Sequence, residues 1–272
     1  MSWLSPGPAW LFCPADRPER FARAIETSDL AILDLEDGVA PARRAFARSA
    51  LAALDAPSER FIVRLNPAGS PEHALDREAL EHCAATVVLL AKTESADDVT
   101  ALAPRRVVAL CETPVGLSRV EEIAAAPNVV AVMWGGEDLA AGLGGTSSRR
   151  PDGSLSDVSR YARARTLLAA RTAGVVALDT VHVEIDDEAG LRAEATDAAA
   201  MGFDATPCVH PRQVAIVREA YRPTPGQIDF ARRVLDLWGG TEGVIRVDGV
   251  MVDGPVVAHA RRTLRRAGEA AD

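Results

Sequence analysis

The feature that most constrains this chain is an eightfold alternation. Short apolar runs recur at residues 10–13, 31–35, 61–65, 87–90, 107–111, 129–134, 175–178 and 205–209, and amphipathic stretches of helical period separate them. A run with no polar face must be covered on both sides, which parallel strands inside a layer of helices achieve. Eight such units predict an α/β fold, a closed (β/α)8 TIM barrel, over residues 1–222. Pro18, Pro41 and Pro211 stand where the helices after three of the runs would begin. A dinucleotide-binding sheet would carry G-x-G-x-x-G after its first strand, and Cys13-Pro-Ala-Asp-Arg-Pro stands there instead. Beyond the barrel, a helix at 227–238, the pair Gly239-Gly240, a β-like run at 244–252 and a helix at 256–266 with a short Ala-rich tail predict an extension over 223–272. The Gly/Ser-rich stretch 142–157 is the longest loop and the natural candidate for a lid.

Active sites of such barrels lie at the C-terminal strand ends, where the βα loops converge. Those ends hold Asp16 and Arg17, Glu36 and Asp37, Arg64 and Asn66, Lys92, Glu112, Glu137 and Asp138, Asp179, and His210. Strand ends that only pack are apolar or turn residues, so a ring of acids around a few cations calls for a chemical reason. A bound hard cation is the simplest, since crowded carboxylates repel and all-oxygen ligands favour magnesium, manganese or calcium over zinc. Glu112 and Asp138, closing adjacent runs, are the strongest pair of ligands. Taken singly, each could equally cap the following helix. Gly135, Gly136 and Glu137 precede Asp138 and offer a substrate close approach to the backbone. Strand alternation points Arg64 into the mouth or leaves it at the rim, where it needs a carboxylate or a substrate anion; Glu36 and Asp37 are placed to orient it behind the substrate. Lys92 keeps a metal-free Schiff-base mechanism in view, against the plainer reading of an ion pair with neighbouring acids. His210 receives no role.

Charge and composition exclude other classes. The formal net charge is −9 and no basic stretch is long enough to track a phosphate backbone, so no nucleic-acid partner is expected. No apolar run reaches the roughly 18 residues of a membrane span, and the first residues lack the basic and apolar regions of a secretory signal. Cys13, Cys83, Cys111 and Cys208 are scattered and read as free thiols in a reducing, cytoplasmic setting. Of the 30 basic residues, Lys92 alone is a lysine.

The segments Leu33-Asp-Leu-Glu-Asp-Gly-Val, Arg64-Leu-Asn, Lys92-Thr-Glu, Glu112-Thr-Pro-Val-Gly-Leu, Gly135-Gly-Glu-Asp-Leu, His210-Pro and Met251-Val-Asp-Gly-Pro together resemble the citrate lyase beta subunit-like proteins of the HpcH/HpaI aldolase superfamily, close to the malyl-CoA and citramalyl-CoA lyases. The resemblance runs over nearly the whole chain. It implies a magnesium-dependent lyase, with manganese as the substitute metal, that cleaves a short 3-hydroxyacyl-CoA of malyl, citramalyl or 3-hydroxy-3-methylglutaryl type to acetyl-CoA or a homologue and a 2-oxo acid. In that scheme Glu112 and Asp138 hold the metal and Arg64 stabilises the thioester enolate. Asp253 serves as acid/base, delivered from a neighbouring subunit of a homotrimer. By similarity, Phe12, Arg17, Arg20 and Arg23 line the coenzyme A end. Without the resemblance, Asp253 reads as a turn residue and the arginines as solvated side chains. The beta subunit of a citrate lyase complex and a non-catalytic CoA-binding barrel are the alternatives.

Overall fold

The computed structural model describes residues 6–239 and 243–269. Residues 1–5, Gly240 and the last three residues of the Ala-rich tail, which enter the readings above, lie outside the described residues. Two compact units emerge, residues 1–218 and 219–272.

The first unit alternates strand and helix in the order β1 (Ala9–Pro14), α1 (Phe21–Thr27), β2 (Leu30–Asp34), α2 (Arg44–Ala52), β3 (Phe61–Leu65), α3 (Pro71–Leu80), β4 (Val87–Leu90), α4 (Ala96–Thr100), β5 (Arg106–Cys111), α5 (Pro114–Ser118), α6 (Val120–Ala124), β6 (Val129–Trp134), α7 (Gly136–Gly142), α8 (Asp157–Ala173), β7 (Val176–Leu178), α9 (Glu188–Met201), β8 (Thr206–Cys208) and α10 (Pro211–Tyr221). The strands pair in parallel in the order β7-β6-β5-β4-β3-β2-β1-β8. A bridge between Leu178 and Ala205, with the Asp179 N–H donating to the Ala205 carbonyl at 2.9 Å, joins β7 to the β8 side and closes the ring. The eight expected runs are the eight strands, to within a residue or two at their ends.

Strand alternation fills the barrel. Trp10, Leu30, Ile32, Ile62, Val87, Leu89, Val108, Leu110, Ala131, Met133, Leu178 and Ala205 form one buried cluster inside the ring. Each apolar side chain of that size contributes roughly 1.5–3 kcal/mol of transfer free energy. Because the side-chain period is two, the same faces carry on at the C-terminal ends as Phe12, Asp34, Arg64 and Glu112. The packing of the interior thus decides which strand-end groups face the mouth.

Helix ends are fixed by local chemistry. Ser70, Ser95, Thr113 and Ser156 cap α3, α4, α5 and α8 with side-chain oxygens, each worth about 1 kcal/mol. Gly174 and Gly202 end α8 and α9 in the left-handed conformation, which a residue with a Cβ enters at a cost. Among the described residues, no helix is long and apolar enough to cross a membrane. The four cysteines are free, and Cys13, Cys111 and Cys208 are buried.

The second unit contains α11 (Pro225–Trp238), a hairpin of β9 (Ile245–Val247) and β10 (Val250–Val252), and α12 (Gly254–Arg266). Ala231, Val234, Val247, Val252, Val257, Ala260 and Leu264 make its own small core. A capping box between Thr224 and Gln227 starts α11, and the Asp253 side chain caps α12.

One strand-end acid on the sequence list turns away from the mouth. Asp179 is fully enclosed behind β7, where its carboxylate accepts from Trp134 Nε1 at 2.8 Å and from the Arg163 guanidinium of α8 at 2.8 Å. Burial pushes its pKa up, while Arg163 opposes that shift. Its role is to tie α8 to the barrel. Replacing Asp179 with alanine takes away the bidentate partner of Arg163 and the acceptor of Trp134 and leaves the guanidinium the exposed Asp197, so urea unfolding at pH 7 is expected to show a loss of about 1–3 kcal/mol; an unchanged midpoint would contradict this.

Candidate active site

Arg64 is the best-anchored group of the mouth. β2 and β3 set Asp34 beside Arg64 in register. The guanidinium donates from Nε at 2.7 Å and from Nη2 at 2.6 Å to the two oxygens of Asp34, a bidentate fork. Its Nη1 lies 3.1 Å from Glu36, and its plane covers the Phe12 ring at 4.8 Å. Burial works against the charge, but Asp34 and Glu36 hold its pKa above the ordinary arginine value.

The sequence placed Glu36 and Asp37 behind Arg64 and overlooked Asp34. Glu36 does pair with Arg64, but Asp37 is turned to the Lys92 ammonium at 3.2 Å, and Asp34 provides the bidentate contact. Asp34 also accepts from the Glu36 and Gly38 amides, at 2.8 and 2.9 Å, so it shapes the loop as well as the arginine. Its signal was available: Leu30, Ile32 and Asp34 share one strand parity.

Glu112 ends β5 on the inward parity of Val108 and Leu110, and only 3% of its surface is exposed. Thr113 fixes the chain just beyond it, accepting from the Gly116 N–H at 3.0 Å and donating to Glu94 at 2.8 Å. One Glu112 oxygen accepts from the Lys92 N–H at 3.1 Å. The other lies where the Gly135 side chain would be: a Cβ there would stand 2.5 Å from Glu112 Oε2. Gly135 is therefore small to make room for the glutamate, whereas the sequence suggested room for a ligand. Nor is the Gly136 amide open, since it donates to the Thr180 hydroxyl at 3.2 Å. Burial, then the charge of Asp138, pushes the Glu112 pKa up to about 8.

Asp138 lies in the first turn of α7, partly exposed, 3.2 Å from Lys92 Nζ. Lys92 also bonds Glu36 and approaches Glu112 at 4.0 Å. Burial disfavours its charge, but Glu36, Glu112 and Asp138 outweigh that and raise its pKa. A lysine held protonated in this way is in the wrong state for amine nucleophilic attack, so the ion-pair reading prevails over the Schiff base.

Glu137 is exposed and accepts a hydrogen bond from Ser148, which is buried within the 142–157 loop. That loop is not an unattached flap: Arg149 pairs with Glu194 of α9, and the Ser148 carbonyl accepts from Ser159 at 2.7 Å. Arg17, Arg20 and Arg23 are exposed around the start of α1, while Phe12 is partly buried under the Arg64 guanidinium. The His210 ring accepts from the Arg212 N–H at 3.3 Å, a local helix-start contact. Asp253 is partly buried at the start of α12 in the second unit.

Among the described residues no group of three or more His, Cys, Asp or Glu side chains stands ready to hold a metal. The donors present still fit a hard divalent cation. Glu112 and Asp138 offer carboxyl oxygens, burial and then the charge of Asp138 already raise the Glu112 pKa, and an ion bound by two carboxylates would keep its remaining positions for water and substrate oxygens.

With this geometry in hand, comparison with known proteins is decisive. The HpcH/HpaI aldolase/citrate lyase profile matches residues 9–211. The chain belongs to this family. It is 53% identical over 270 residues to a citrate lyase subunit beta-like protein of Mycobacterium tuberculosis, covering 99% of each chain. It is 33% identical over 270 residues to a (3S)-malyl-CoA thioesterase of Cereibacter sphaeroides, covering 94% of this chain and 93% of that one. The structure matches that of protein CitE from M. tuberculosis in complex with magnesium, acetoacetate and coenzyme A with a TM-score of 0.93, at 54% identity over 97% of this chain and 98% of the other. Within the HpcH/HpaI aldolase/citrate lyase family, the chain is thus similar to citrate lyase beta-like members.

The raised Glu112 pKa has a measurable consequence. A folded pKa above the unfolded one means that the neutral acid stabilises the fold. That contribution is complete below the ordinary glutamate pKa and is lost as pH rises through about 8. In chelator, the melting temperature of Glu112→Gln relative to the native protein should therefore rise by a few degrees between pH 6.5 and pH 9. A difference that stays constant across that range would show that Glu112 is not protonated in the metal-free fold.

Proposed function

We propose that this chain is a magnesium-dependent carbon–carbon lyase acting on a short 3-hydroxyacyl-CoA thioester of malyl, citramalyl or 3-hydroxy-3-methylglutaryl type, releasing acetyl-CoA or a homologue and an oxo acid, which is a 2-oxo acid for the malyl and citramalyl types and a 3-oxo acid for the third. The observation that carries this reading is the buried Glu112 carboxyl group beside Asp138, two strands round the barrel from a guanidinium locked in place by Asp34. The reported complex of the similar CitE with magnesium, acetoacetate and coenzyme A supports it.

Magnesium held by Glu112 and Asp138, with manganese as a substitute, supplies Lewis-acid polarisation of the oxo-acid oxygens. Arg64 spends two of its five N–H groups on Asp34, sets Nη1 against Glu36 as an ion pair, and keeps Nη hydrogens for the oxygen of an acyl-CoA enolate. Its fork is fixed before the substrate arrives, so no reorganisation is needed as charge develops there. Glu137 sits beside Asp138 and borders the oxo-acid half, while Gly135 and Gly136 serve that side indirectly, one by leaving room for Glu112 and the other by tying the loop to Thr180. Arg17, Arg20 and Arg23 offer exposed cations to the phosphates of coenzyme A.

Asp253 acts as acid/base, protonating the enolate carbon in cleavage and removing that proton in condensation. We assign it to the mouth of a neighbouring copy in a homotrimer. In support, Val244, Val250 and Met251 of the hairpin leading to it are exposed apolar side chains, as a segment that docks on another subunit requires. On this view residues 223–272 exist to complete a second protomer's site.

The relatives favour one rival: similarity to a citrate lyase subunit beta-like protein of M. tuberculosis leaves open the beta subunit of a citrate lyase complex, with the thioester on a carrier protein. The deciding experiment is product analysis with malyl-, citramalyl- and hydroxymethylglutaryl-CoA. Lyase action yields acetyl-CoA or a homologue with an oxo acid (2-oxo from the first two esters, 3-oxo from the third), whereas thioester hydrolysis yields free coenzyme A and an intact hydroxy acid. Chelation, or Glu112→Ala with Asp138→Ala in a folded protein, should lower cleavage by at least ~1000-fold. Undiminished turnover would refute the metal site, and cleavage only of a carrier-bound thioester would favour the complex.

The shared site has its own test. Asp253→Asn should lower turnover by about 100- to 10,000-fold. Mixing it with the equally inactive Arg64→Ala under subunit exchange should restore activity, because some mouths then receive both native residues. If the mixture stays inactive after exchange is verified, Asp253 serves its own barrel or none.

A further inference from the structure

Lys92 stands where the charges of the mouth converge, and its position is built rather than incidental. Its backbone has a φ of 48°, the left-handed region that residues with a Cβ rarely adopt. That turn lets one residue act twice: its N–H donates to Glu112 Oε1 at 3.1 Å, and its side chain reaches across the mouth. Nζ bonds Glu36, lies 3.2 Å from both Asp37 and Asp138, and stands 4.0 Å from Glu112. The Nζ contacts fall into two sets. Asp138 and Glu112 are the acids assigned to the metal, whereas Glu36 and Asp37 are not.

We propose that Lys92 is the resident counter-cation of the mouth: its ammonium compensates the acids when no metal is bound and must yield Asp138 and Glu112, withdrawing onto Glu36 and Asp37, when a divalent ion enters. This rests on the metal reading above and adds to it a positioning residue that sets metal affinity. The physical reason is charge density. Two carboxylates can satisfy either an ammonium or a divalent cation, and both cations in contact with the same oxygens repel. Asp37 is exposed, so the ammonium can move toward it without a fresh burial penalty. Lys92 therefore guards the site against the repulsion of vacant acids at the expense of tight binding of the bare metal.

The sequence supplies a probe, because Lys92 is the only lysine in the chain. Reductive 13C-dimethylation labels it and the chain's α-amino group alone and preserves both charges. Titration of the full-length protein with Mg2+ should shift the Lys92 methyl resonance while the α-amino signal stays put. In calorimetric titrations, Lys92→Met should bind Mg2+ at least ~10-fold more tightly than the native protein, the scale of one nearby charge at intermediate dielectric. Its metal-free form should melt lower. Lys92→Arg, which keeps the charge, should stay near the native affinity. An unmoved methyl resonance in a protein that binds Mg2+ overturns the proposal, as does Lys92→Met affinity that is equal or weaker. If Lys92→Met fails to fold, the resonance alone decides. Absence of Mg2+ binding by the native protein would instead overturn the metal reading itself.

Discussion

Compensation of buried charge governs this molecule. A barrel interior filled by Trp10, Ile32, Ile62 and Leu110 offers no polar side chain beneath the top layer, so every ionised group there must find a partner or change its protonation state. Arg64 finds Asp34 and Glu36, Lys92 finds four acids, and Glu112 is left with a raised pKa. The excess of carboxylate over cation is what gives the mouth its appetite for a hard ion. The rest of the site is arranged around that imbalance: glycine where Glu112 needs space, a threonine cap that fixes the chain after it, and an arginine held rigid before substrate arrives.

The two units divide the work. Parallel strands deliver the mouth residues by register, since Asp34 and Arg64 are partners across adjacent strands and Glu112 follows the inward face of β5. The smaller unit has a core of its own, which lets it present Asp253 from a formed helix start instead of a loose tail. In the proposed trimer, catalysis then depends on assembly, and an isolated protomer would hold the metal and enolate groups without their acid/base.

The barrel was legible because eight apolar runs with no polar face admit few coverings, and Arg64 because alternation within 61–65 leaves it the mouth or its rim. Glu112 and Asp138 were legible as acids ending adjacent strands, since the cost of burying such groups is general. What escaped was parity at the ends. Asp34 was masked by its neighbours Glu36 and Asp37, although it shares the face of Ile32. Asp179 was grouped with the mouth although one residue beyond Leu178 reverses the face, and its partner Arg163 comes from a helix sixteen residues earlier, which no local pattern announces. The loop at 142–157 looked free by composition, but Ser148 and Arg149 find Glu137 and Glu194 only once the chain is folded.

The close approach of Glu112 to Gly135 makes each position a steric condition on the other. A methyl group at 135 would occupy the glutamate's oxygen, and a shorter acid at 112 would leave the notch in β6 empty. Neither position can drift alone. Descendants of this barrel that change substrate by reshaping their loops should still inherit the two residues as a unit, and a lineage that has lost one is expected to have lost the pressure to keep the other.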